Sequence, residues 1–170
     1  MEWDESKHPR DGEGKFTDKL ENNEKKGKRK FSKFINPNIV VLNENNELSR
    51  LIKSTNQNKY KAIMNYIVEH FWGKVMTFPD GVEAVIDKND AKELSHKSNN
   101  RRMSELTMLE TLIKKSRFEN EIDVVHNKFR RFRYYSVKTR FKDKDYEIWL
   151  NVGISKNDNS YHLYALTPKK

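Results

Sequence analysis

Three runs in the last third of the chain, residues 132–141, 146–154 and 161–167, alternate apolar and polar side chains with period two. No other feature restricts the fold as much, because alternation sends successive side chains to opposite faces of a strand. The polar segments 142–144 and 156–159 between the runs suit turns, so the three runs predict an antiparallel meander.

Upstream the period becomes helical. Tyr60, Ile63, Met64, Ile67, Val68 and Phe71 share one face of a helix over 59–71, and Gly73 occupies the usual terminating position. A shorter helix is expected over 47–53. Met103, Leu106, Leu109, Leu112 and Ile113 predict a single helix over 104–116 with Ser104 as its N-cap. Another helical stretch covers 90–96, opened by Asp87 or, more favourably, by Asn89. Residues 75–78 and 82–86 read as paired strands about the turn Pro79-Asp80-Gly81, and Ile35 with residues 39–42 as a short first strand. Helices followed by strands give an α+β fold, the N-terminal helices packed on one face of the C-terminal antiparallel meander.

Residues 1–33 carry Trp3, Phe16, Leu20 and Phe31 at no helical or strand period, among lysines and glycines. So few apolar groups cannot offset the entropy of ordering, and the segment reads as a disordered basic leader before one domain over 34–170. The leader lacks the apolar stretch of a signal peptide, and no run approaches the roughly 20 apolar residues of a membrane span. The chain has no cysteine, which removes thiol catalysis, disulfides and Cys-based zinc sites.

The net charge of +9 is concentrated. Residues 96–142 hold 13 Lys/Arg against 5 Asp/Glu. Such a surplus attracts phosphate backbones or an acidic partner protein. The alternation also divides the meander into two faces. Tyr135, Val137, Thr139, Phe141, Ile148, Leu150, Val152, Ile154, Tyr161, Leu163 and Ala165 form the apolar one. The other collects Tyr134, Ser136, Lys138, Arg140, Glu147, Trp149, Asn151, His162 and Tyr164. A mixture of cations and aromatic rings on a wet face suits phosphate contacts and base stacking.

Metal-dependent nucleases need converging carboxylates. Asp80, Asp87 and Asp90 are close in sequence, but a turn, a strand end and a helix start account for them, so no metal site and no cofactor is expected. A metal-free ribonuclease instead needs a base for the 2′-hydroxyl, an acid for the leaving 5′ oxygen, and cations for the phosphorane. Histidine suits both proton roles. His70 reads as structural. His96, at a polar helix end, His126, in a basic loop with Lys128, and His162, on the cationic face, are the candidates.

Two stretches resemble known proteins. The leader, Trp3 to Thr17 with His8-Pro9-Arg10-Asp11 and Gly14-Lys15-Phe16, resembles the linker of phage head-morphogenesis (MuF-type) and related polyvalent proteins. The order over 82–167 is a strand, Leu94-Ser95-His96-Lys97-Ser98, a helix, and a meander closing on Tyr161-His162-Leu163-Tyr164-Ala165-Leu166-Thr167. It resembles phage-associated nucleases of the barnase–EndoU–colicin–RelE-like class. That resemblance implies metal-independent cleavage of RNA, often tRNA, from the sheet's free face. Carried onto this chain, it points to His96, Lys97, Arg140, His162, Tyr164 and Thr167, although alternation puts Thr167 on the apolar face unless the strand bends near Pro168.

The resulting expectation is a ribonuclease toxin domain that forms a 2′,3′-cyclic phosphate. His162 exchanges protons with His96 or His126; Lys97, Lys128, Lys138 and Arg140 hold phosphate; Trp149 or Tyr164 stacks a base. The domain would be a monomer without membrane contact, would act in the cytoplasm of a target cell after delivery by a phage or secreted parent, and would meet a cognate acidic immunity protein. A non-catalytic nucleic-acid-binding module and a partner-docking module remain alternatives. No Arg, Ser-Thr-Ser and Glu-x-Glu series supports an ADP-ribosyltransferase.

Overall fold

A computed structural model describes residues 38–56, 58–96 and 98–169, together with the backbone of Arg10–Asp11 (β1) and Gly14–Lys15 (β2). The chain divides into two units, Met1–Pro37 and Asn38–Lys170. In the first, β1 and β2 form a two-residue antiparallel ladder. The rest of the expected leader lies outside the described residues, as does Ile35.

The second unit is α+β. Its elements are β3 (Ile39–Val41), α1 (Glu47–Thr55), α2 (Lys59–Phe71), β4 (Met76–Thr77), β5 (Glu83–Val85), α3 (Lys88–Ser95), α4 (Asn100–Thr107), α5 (Leu109–Lys115), β6 (Arg117–Asp123), β7 (Phe129–Phe141), β8 (Lys144–Ser155) and β9 (Tyr161–Pro168). The meander β7-β8-β9 is antiparallel as expected, yet it is the centre of a seven-stranded mixed sheet of order β3-β7-β8-β9-β5-β4. β3 runs parallel to β7 and β5 parallel to β9. β6 shares the β3 side of β7. Among the described residues no helix is long and apolar enough to cross a membrane.

Side-chain caps set the helix starts. Asn46, Asn58 and Asn99 accept from the backbone N–H groups of Ser49, Lys61 and Arg102, satisfying donors that the first turn leaves orphaned. Gly73 (φ +83°) follows α2 and Gly81 (φ +93°) closes the β4–β5 turn, both in the left-handed region that glycine enters without penalty. The expected helix over 104–116 is two helices broken at Met108 (φ −111°, ψ 19°), and Ser104 is a buried interior residue rather than a cap. The earlier start follows from charge. Helical geometry through 101–105 lets Arg101 and Arg102 both reach the buried Glu105 carboxylate, at 3.2 and 3.0 Å. Arg102 also donates to the Leu166 carbonyl, fastening α4 to β9. Likewise Asp87, not Asn89, caps α3.

β6 escaped the sequence reading because Arg-Phe-Glu-Asn-Glu-Ile-Asp is too charged to read as a strand. An edge strand tolerates that composition. Here cross-strand ion pairs use it: Arg131 bonds Glu121 and Asp123 at 2.7 Å each, and Arg133 bonds Glu121 at 2.5 Å. Arg133 also reaches Asp80 in the β4–β5 turn at 2.8 Å, where the Tyr135 hydroxyl donates to the same carboxylate.

One core gathers residues from all five helices, among them Leu48, Ile67, Leu94, Leu106 and Leu112, against Tyr135, Val137, Ile148, Leu150, Val152 and Leu163 of the meander. These strand residues are the ones alternation assigned to the apolar face. The last strand departs from strict alternation. Asn151 pairs with Ala165 and Val152 with Leu163, so Tyr164 is the extra residue of a β-bulge. Beyond it the faces exchange. Leu166 lies buried opposite Leu150, while Ala165 and Thr167 join the outer face opposite Asn151 and Trp149. This corrects Ala165, and it moves Thr167 by a bulge at Tyr164 rather than a bend near Pro168.

Candidate functional site

Most of the outer face is partly exposed. Its rows across β7 and β8 are Phe132 with Gly153, Tyr134 with Asn151, Ser136 with Trp149, Lys138 with Glu147, and Arg140 with Asp145. It is less cationic than the sequence suggests. Arg140 bonds Asp145 at 2.6 and 3.2 Å, and the Lys169 ammonium lies 3.1 Å from Glu147. Trp149 packs on Tyr134 with ring centroids 4.7 Å apart, and Thr167 donates to the Asn151 amide oxygen at 3.3 Å.

The chemistry-bearing groups converge at the opposite end, where β9 starts, α3 starts and the 124–128 loop enters β7. Asp87 and Asp90 form a reciprocal capping box, each carboxylate accepting the other's backbone N–H at 2.9 Å. That arrangement leaves oxygens of both free to face the sheet. Asp90, fully buried, takes His162 Nδ1 on Oδ2 at 2.8 Å and the Lys128 ammonium on Oδ1 at 3.1 Å. Lys128 also bonds Asp87 at 2.7 Å. The other ring nitrogen of His162, Nε2, lies 2.9 Å from Ser160 Oγ, and Ser160 Oγ lies 2.6 Å from Asp158.

This chain can gain or lose one proton without moving a heavy atom. A serine hydroxyl has one hydrogen and can also accept. With His162 neutral, the Asp90 carboxylate holds the proton on Nδ1, and the Ser160 hydroxyl donates to Nε2. With His162 charged, Nε2–H donates to Ser160 Oγ, and the hydroxyl turns to Asp158. Hydrogen bonds from Ser160 hold the Asp158 carboxyl below its ordinary range, which keeps that second acceptor ionised.

Beside this relay, an aromatic cluster surrounds Phe129. The His126 ring stacks on Phe129 at 5.2 Å, and Phe129 touches His162 at 5.7 Å and Tyr164 at 5.1 Å. His126 Nδ1 accepts the backbone N–H groups of Lys128 and Phe129 at 3.0 and 3.3 Å, which leaves its proton on Nε2, 3.4 Å from the Tyr164 hydroxyl. Burial, then Glu93 and Asp90, push the Tyr164 phenol up, so it stays protonated near neutrality.

The sequence-expected residues therefore separate. His126, Lys128, His162 and Tyr164 come together. His96 caps the end of α3 and packs on Tyr60 at 5.4 Å; among the described residues no ring or hydrogen-bond contact joins it to His162. Lys138, Arg140, Trp149 and Thr167 lie on the outer face beyond Phe132. Lys97 lies outside the described residues. Sequence reasoning missed Ser160 and Asp158, and it gave Asp90 only its capping role. Ser160 immediately precedes β9, two residues before His162, and the Asp90 carboxylate comes from tertiary packing.

Asp87, Asp90 and His162 offer ligand atoms within 4.8 Å of one another. The Lys128 ammonium bonds both carboxylates and supplies the positive charge there, as a structural counterion rather than a phosphate hook. Burial alone would raise Asp87, but Lys128 and the Asp90 N–H outweigh it and lower the carboxyl to about 2. Because the folded value is depressed, this contribution is complete above the ordinary carboxylate range and is lost as pH falls toward about 2. The melting temperature is expected to drop across that window, and Lys128→Met to make the drop shallower; thermal unfolding followed by circular dichroism checks it.

No family model, curated protein or solved structure matches this chain.

Proposed function

We propose that the second unit is a metal-independent endoribonuclease that acts through a 2′,3′-cyclic phosphate, with His162 as the base. The observation supporting this reading is the bonding of His162, held at Nδ1 by Asp90 and able to exchange a proton with Ser160 at Nε2. In the proposed step the 2′-hydroxyl proton passes to Ser160 Oγ as the Ser160 hydroxyl gives its own proton to Nε2. The 2′ oxygen bonds phosphorus as the bond to the 5′ oxygen breaks, and the Tyr164 hydroxyl protonates that leaving oxygen. Solvent then reprotonates the tyrosine and takes the proton from His162. Arg130, bonded to Asn159, and Lys156, whose N–H bonds the Lys128 carbonyl, border the relay and supply exposed charge for the phosphate.

RNA, tRNA included, is the proposed substrate. An acidic immunity protein over the outer face is the proposed partner, and delivery by a phage-type or secreted parent to a target cytoplasm is the proposed setting. One observation favours the rival reading of nucleic-acid binding without cleavage: the His162 side chain is only 10% exposed. Incubating the domain with total RNA in EDTA separates the two. Fragments ending in 2′,3′-cyclic phosphate are expected. Binding without fragments supports the rival, and cleavage that EDTA abolishes overturns the metal-free step.

A further inference from the structure

The side of β7 away from β8 is shared by two strands that meet end to end. β6 stops pairing at Arg117 opposite Ser136, and β3 begins at Ile39 opposite Lys138, so a gap opens at Val137. A cavity of about 290 Å³ occupies this gap, lined by Asn38, Lys115, Arg117, Ser136, Lys138 and Glu147. A charge network borders it through Arg117, Ser136 and Glu147. Glu119 turns onto the outer face at a bulge in β6, accepts the Ser136 hydroxyl at 2.5 Å and bonds Arg117 at 3.0 Å. Lys169 joins Glu119 and Glu147 at 3.7 and 3.1 Å. Arg117, Lys138 and Lys169 thus stand against the carboxylates of Glu119 and Glu147, which leaves this network positive.

We infer that this gap is a binding site for the phosphate of a nucleotide, separate from the His162 centre. Its volume suits a small ligand rather than a protein segment. The neighbouring floor fits the rest of such a ligand. Ser136 pairs directly with Trp149, and the Trp149–Tyr134 rings lie one row away. A base stacked there sits beside a phosphate held by the Arg117 guanidinium and the exposed Lys138 ammonium. Five residues of β7 separate Phe132 from Val137, about 17 Å at strand rise. A single RNA strand laid along the outer face would therefore place a second phosphate here while the first lay at His162.

The inference does not require cleavage, and its test avoids that dependence. Nuclear magnetic resonance titration with AMP is expected to shift the backbone signals of Arg117 and residues 136–138 and the Trp149 indole. Inorganic phosphate should shift the first set alone, and adenosine should shift neither Arg117 nor Lys138. Arg117→Gln with Lys138→Gln, both at surface positions, should weaken AMP binding about ten-fold or more with an unchanged melting temperature. His162→Gln should bind AMP in the gap as the unaltered chain does. No shift in the gap, undiminished binding by the double variant, or equally strong occupation by hexaglutamate would each overturn the site.

Discussion

Replacing His162 with glutamine is expected to slow RNA cleavage by about 10²- to 10⁴-fold, the usual range for losing a positioned proton-transfer group. Glutamine keeps two polar atoms in roughly the same places, so one amide edge can still meet Asp90 and the other Ser160, but it cannot take a proton near neutrality. Stability should change little while turnover collapses. Asp90→Asn separates positioning from transfer. The amide oxygen can still accept the Asp87 N–H and meet His162 Nδ1, but it brings no negative charge beside the ring, and Lys128 loses one of its two counter-charges. Cleavage by that variant should fall with a changed pH profile, whereas a merely structural Asp90 would lower the melting temperature and leave the profile in place. Single-turnover rates across pH, with melting curves on the same samples, measure both. A glutamine variant that cleaves as fast as the unaltered chain removes His162 from the mechanism.

Gly153→Ala is expected to be the most damaging conservative change in the sheet. A Cβ at that position would sit 2.5 to 2.7 Å from Phe129 Cγ, Cδ1 and Cδ2, closer than carbon atoms approach. Phe129 is completely buried and ringed by His126, Phe132, His162 and Tyr164, so it has nowhere to retreat. Overpacking of this kind costs about 1–3 kcal/mol, and a rigid aromatic neighbour puts the expectation at the upper end. Phe129→Ala should cost about 3–5 kcal/mol by leaving a void. The double variant should be less destabilised than the two single losses added, since the new methyl enters space the ring has left. Urea unfolding of the four proteins gives the coupling. Strict additivity would mean that the ring does not rest on the glycine.

The contrast between what was legible in the sequence and what was not follows from range. Period-two alternation located β7, β8 and β9, and the face split held for Tyr135 through Leu163 because one side of each strand is buried. The 59–71 helix matched its observed limits because its apolar stripe, its Asn58 cap and Gly73 agree. The break at Met108, the identity of the α3 cap and the Tyr164 bulge were not legible. Two of these involve partners distant in sequence: Leu166 for α4, and Lys128 and His162 for the Asp87–Asp90 box. The same holds for the site. His126 and His162 were visible as residue types, but the pairing of His162 with Asp90 spans most of the domain and has no local signature. Conversely, Arg140 and Lys128 looked available in the sequence and proved to be bonded to carboxylates.

The parallel pairings carry a consequence for the growing polypeptide. β3 finds its ladder partner only at 138–140, and β5 only at 161–162. A ribosome therefore releases both early strands, with α1 and α2 between them, before their parallel partners in the meander exist. Such late closure over long loops is slow. Until β9 leaves the exit tunnel, His162 has no Asp90 beside it in a finished sheet, so the proposed catalytic centre cannot assemble before residues 161–168 are free to pair.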